Sequence, residues 1–63
     1  MPVFEFLLDD EIHHVRADGW RLYGAQVVFF DGQLDLKTGA SVEQEVGHFV
    51  IGDPQRNITL LEP

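Results

Sequence analysis

Residues that turn or break a chain recur so often along this sequence that no long helix fits between them. Asp9-Asp10, Asp18-Gly19, Gly24-Ala25, Asp31-Gly32, Thr38-Gly39 and Gly52-Asp53-Pro54 each stand between short runs rich in valine, phenylalanine, leucine or isoleucine. That spacing is the one a meander of short strands requires. The strands read as residues 3–8, 11–17, 20–23, 26–30, 33–37, 45–51 and 57–61. The expected fold is therefore all-β, a small antiparallel meander of about six strands forming a compact sheet or a small barrel. Asp31-Gly32 is the strongest turn signal, because Asp-Gly supplies the positive φ values of a two-residue type I′ hairpin, and it is expected to join 26–30 to 33–37.

Side-chain alternation then assigns faces. Phe4, Phe6 and Leu8 share one face of the first strand, and Leu34 and Leu36 share one face of the run at 33–37. Val27-Val28-Phe29-Phe30 is apolar on both faces, as is much of Phe49-Val50-Ile51, so both are expected to be central strands or covered on two sides. Ser41-Val42-Glu43-Gln44 carries two signals at once. Serine followed three residues later by glutamine fits a capping box, so a short helical turn near 41–46 is one reading. Alternation across Val42, Gln44, Val46 and His48 supports a strand equally.

With 63 residues there is one domain, and a chain of this length buries only about 60% of the surface that its unfolded form exposes. No cysteine is present, so disulfides, cysteine-based metal sites and thiol nucleophiles are all excluded. Self-association is the simplest remaining reinforcement for so small a core. Eleven acidic residues against four basic ones give a net charge of −7, which opposes direct contact with phosphate backbones or anionic lipid surfaces. The N-terminal segment has neither the basic flank nor the cleavage site of a signal peptide, and a cytoplasmic location is expected.

Few residues suggest chemistry. His13, His14 and His48 with Asp9, Asp10 and Glu11 include metal-ligand types, but neighbouring residues of a strand point to opposite faces, so His13 and His14 cannot both reach one ion. No metal or other cofactor is expected. Ser41, Thr38 and Thr59 lack a nucleophile-elbow context, and the glycines form no phosphate-binding loop. The expected activity is binding rather than catalysis. If Trp20 and Leu22 face inward, Arg21 and Tyr23 face outward, and an exposed tyrosine beside an arginine is the composition of protein contacts; the reversed assignment exposes Trp20 instead. Trp20, Arg21 and Tyr23 are thus the candidate protein-binding residues.

The segments Val15-Arg16-Ala17-Asp18-Gly19-Trp20, Val27-Val28-Phe29-Phe30-Asp31-Gly32, Val46-Gly47-His48-Phe49 and Ile58-Thr59-Leu60-Leu61-Glu62 together resemble small β proteins of actinobacteria and their phages. The resemblance covers roughly two thirds of a one-domain chain and implies an all-β fold without implying an activity. Residues 1–13 and 41–45 depart from the pattern. The expectation is a small acidic interaction module, self-associating, that presents a β face or edge to a protein partner. The alternative is a bacterial or phage-encoded inhibitor whose carboxylates mimic nucleic acid.

Overall fold

A computed structural model describes residues 2–63. The first hairpin pairs β1 (Val3–Leu8) with β2 (Glu11–Arg16) through the two-residue turn Asp9-Asp10. Both aspartates have positive φ, 52° and 64°, the backbone a type I′ turn demands at its two central positions. The type I′ hairpin thus lies here, where short polar side chains tolerate the left-handed region. At Ala17-Asp18 the chain leaves this first sheet and enters a second one, made of β3 (Gly19–Tyr23), β4 (Gln26–Leu34) and β5 (Ser41–Phe49). A single helical turn, α1 (Pro54–Asn57), then returns it to the first sheet as β6 (Thr59–Glu62).

The sheets have the orders β2-β1-β6 and β3-β4-β5, with every pairing antiparallel. Six strands in two three-stranded sheets answer the expected all-β architecture, and the sheets do not close into a barrel. Between them lies a core built on four phenylalanines. Phe4 and Phe6 come from β1, Phe29 from the central strand β4 and Phe49 from the end of β5, with neighbouring ring centroids 5.0 to 5.9 Å apart. Ala17, Val27 and Ile51 are buried with Phe4, Phe6 and Phe29, while Phe49, Leu8, Val15, Trp20 and Ile58 are partly buried and pack against them. Burying a phenyl group such as that of Phe6 or Phe29 contributes about 1.5–3 kcal/mol, so these rings are the main source of cohesion.

The second sheet departs from the expected layout. Asp31-Gly32 makes no turn, because β4 runs straight through it to Leu34. The reversal comes at Asp35–Ala40, closed by Asp35 N–H on the Ala40 carbonyl at 2.9 Å and Gly39 N–H on the Asp35 carbonyl at 2.7 Å, with Gly39 at φ 72°. Asp35 Oδ1 also accepts from Lys37 N–H at 2.9 Å, an Asx turn that offers the backbone a local alternative to the ladder. The gain is non-local: this register sets Phe49 opposite Val27 and Gly47 opposite Phe29, which brings the Phe49 ring into the aromatic core. Consequently there is no separate strand over 33–37: Gln33 and Leu34 end β4, residues 35–37 lie in the turn, and Leu34 and Leu36 are exposed, Leu36 at 89%.

Strand pairing also decides the residues with two signals. Ser41–Glu45 belongs to β5, so the capping box starts no helical turn there. The short helix α1 follows Asp53, with Pro54 in its first turn, and displaces the start of the last strand from Asn57 to Thr59. Phe49-Val50-Ile51 is not a two-sided strand either: β5 ends at Phe49, Val50 is exposed and Ile51 is buried in the following loop.

Candidate protein-binding face

Each β3 residue is placed by its partner on β4. Trp20 stands opposite Phe29 and Leu22 opposite Val27, on the face that meets the first sheet. Arg21 stands opposite Val28 and Tyr23 opposite Gln26, on the outer face. The structure therefore brings Arg21 and Tyr23 together and puts Trp20 on the other side, half-buried against the core. The outer face adds residues that the sequence did not single out for binding. Val28 and Phe30 project from β4, and Glu43, Gln44 and Glu45 approach from β5, enclosing with Arg21 and Tyr23 a groove of about 350 Å³. A two-sided apolar run at Val27–Phe30 was the available signal for the floor; the β5 rim depends on a register that no local pattern reveals.

Arg21 spans this groove from side to side. Its guanidinium donates to both carboxylate oxygens of Glu43, at 2.5 and 2.6 Å, and lies 4.4 Å from the centroid of the Phe30 ring. Hydrogen bonding to Glu43, then to Tyr23, holds its pKa above the ordinary guanidinium value. The ring beneath it is seated on Gly19, where a Cβ would come within 3.0 Å of the ring tip. Since both charged partners are about half exposed, the ion pair orients Arg21 more than it stabilises the fold. Nearby, Glu45 Oε2 is 3.3 Å from His48 Nδ1, which leaves this rim rich in carboxylate and its principal cation already engaged.

Just before the start of β3 a second polar arrangement supports β4. Asp18 N–H donates to the Phe30 carbonyl at 2.9 Å, and Asp18 Oδ2 accepts from Gly32 N–H at 2.6 Å. The neighbouring carboxyl of Asp31 is raised above 3.8, first by desolvation and then by its hydrogen bond and repulsion with Asp18, against a smaller lowering by Gly32 N–H.

The histidines do not converge. His13 is stacked on Phe6 with ring centroids 5.6 Å apart, His14 faces outward 3.4 Å from Glu5, and His48 lies on the other sheet. Among the described residues no group of three or more histidine, aspartate or glutamate side chains is placed to hold a metal ion. Two other surfaces are open. A cleft of about 520 Å³ runs between β2 and β5, lined by Val15, Arg16, Val46 and Phe49 among others. On the outer face of the first sheet Leu7 and Ile12 form an exposed cross-strand pair. Among the described residues no helix is long and apolar enough to cross a membrane. Comparison of the chain with family models, curated proteins and solved structures gives no match.

Proposed function

We propose that this chain is a small acidic protein-interaction module that binds a protein partner through the outer face of the β3-β4-β5 sheet. The observation that carries this reading is the groove over Val28 and Phe30, in which Tyr23 is 59% exposed and the rim residues are hydrogen-bonding groups. Exposed aromatic and arginine side chains around a small apolar floor are the composition of binding hot spots. Trp20 contributes from the opposite side, by seating β3 against Phe29. The module self-associates through the first sheet, where Leu7 and Ile12 present adjacent apolar side chains to solvent. The carboxylates fall on both sheets and in several turns, a distribution that favours partner binding over mimicry of a phosphate strip. The setting inferred from the resemblance to actinobacterial and phage proteins is a bacterial cytoplasm.

Selection of displayed peptides against the whole chain, with counter-selection against a Tyr23→Ser, Phe30→Ala variant, tests the face directly. Enriched peptides are expected to bind the unaltered chain about ten-fold more tightly and to shift the amide resonances of Arg21, Tyr23 and Phe30. Ligands that bind both proteins equally, or that shift only the first sheet, contradict the reading. Light scattering at two concentrations addresses self-association: an Ile12→Lys chain is expected to remain monomeric where the unaltered one does not.

A further inference from the structure

We infer that the free edge of β5 over Ser41–Glu45 accepts an added strand from a partner segment in which cationic and apolar side chains alternate. This rests on the protein-binding reading and deepens it, since Glu43, Gln44 and Glu45 form both this edge and the rim of the groove.

An edge strand presents unpaired backbone N–H and C=O groups, and folded proteins normally protect such edges with lysine, proline, a bulge or a very short strand. The four edges here differ in that respect. β6 has four residues and a register shift against β1 between Val3 and Phe4. β3 has five residues, and β2 carries its own cation, Arg16. β5 has nine residues, contains neither lysine nor proline, and is exposed at every position from Ser41 to Val46. Its irregularity lies opposite Phe29 and Phe30, which leaves Ser41–Glu45 regularly paired to β4 on one side and free on the other.

Charge decides the occupant. Glu43 stands opposite Gly32 and Glu45 opposite Phe30, so both carboxylates share the outer face of the sheet. Suppose a second copy of the chain paired antiparallel along this edge. Centring the pair on Glu43 or Glu45 sets that residue against itself, and centring it on Gln44 sets Glu43 against Glu45. Like charges directly opposite one another destabilise a strand pair, so the central registers discourage a self-paired edge. A lysine or arginine opposite each glutamate reverses that sign. On the other face the edge offers Val42 and Gln44, which suits apolar or small polar side chains between the cations. Arg21 does not already satisfy both acids, because of the two glutamates it hydrogen-bonds only Glu43. An incoming cation opposite Glu45 competes only with His48.

The test uses the whole chain and three capped synthetic octapeptides: alternating lysine and valine, the same with glutamate for lysine, and the lysine peptide N-methylated along one backbone edge. The lysine peptide is expected to bind at least ten-fold more tightly than the glutamate peptide at low salt and to slow amide exchange within Ser41–Glu45. N-methylation is expected to abolish that protection and to weaken binding at least ten-fold. In a Glu43→Lys, Glu45→Lys chain the preference is expected to invert. Equal affinity for the N-methylated peptide would overturn strand addition, since attraction would then require no backbone pairing. Protection at β2 or β3 in place of β5 would overturn the choice of edge. In either case displayed peptides that still map to Tyr23 and Phe30 would keep the broader binding reading intact, whereas its own failure shows as the absence of any ligand on that face.

Discussion

The β4–β5 hairpin is one ladder with two unlike halves. Its near half, Val27 to Phe30 with the end of β5 opposite, contains Val27 and Phe29 with no solvent exposure and forms one wall of the aromatic core. Its far half, Asp31 to Leu34 against Ser41 to Gln44, contains no buried residue and has β3 on neither side. The molecule measures 43 × 26 × 16 Å, an elongation in keeping with a hairpin that outruns its neighbours. One antiparallel ladder thus holds the fold together at one end and leaves an accessible edge at the other. Burial, rather than hydrogen bonding, separates the two roles.

Substitution should expose that difference most clearly in the core. Phe29→Ala is expected to cost about 3–5 kcal/mol, enough to unfold most of a domain this small, while Val42→Thr in the far half stays within about 0.5 kcal/mol. Urea denaturation midpoints measure both; comparable losses at the two sites would erase the distinction. The boundary between the halves is held by Asp18 on Gly32 N–H. Asp18→Ala is expected to lose about 1 kcal/mol, and Asp18→Asn, which keeps an acceptor, to lose less. A thermal melt showing the two variants equal would mean that this hydrogen bond does not anchor the arm. Across the outer face, a double-mutant cycle on Arg21 and Glu43 is expected to return a coupling of about 0.2–1 kcal/mol, because both partners are half exposed.

The smallest effect is a dependence on pH. The folded chain holds the Asp31 proton to a higher pH than the ordinary 3.8, so stability falls as pH rises through the interval above that value and stays lowered beyond it. Asp31→Asn removes this loss. Its melting temperature is expected to exceed that of the unaltered chain at neutral pH, with the difference vanishing below 3.8. A difference that persists unchanged in acid would assign the effect to packing instead of titration.

The first half of the fold was readable because its strands are governed by neighbours in sequence. Val3–Leu8 and the strand beginning at Glu11 follow from alternation and the Asp9-Asp10 turn, and the opposed faces of Trp20 and Arg21 follow from a period of two. The second half was not, because its register is set by a residue far along the chain. Asp31-Gly32 has good local turn chemistry, yet the chain extends past it so that Phe49 can reach Phe6 and Phe29. For the same reason the capping box at Ser41 yields to a ladder whose partner it does not announce. The candidate site divides similarly: Arg21 and Tyr23 were legible, while Glu43 and Glu45 joined them only through the register of β5.

Residue-resolved amide exchange along β4 and β5, in dilute protein without ligand, tests most directly whether the two halves differ as described. Val27–Phe30 is expected to exchange through global unfolding, and Ser41–Gln44 through local opening at rates on the order of a hundred-fold faster. Uniform slow exchange over both halves would contradict the account, since the outer arm would then already be covered in the free chain.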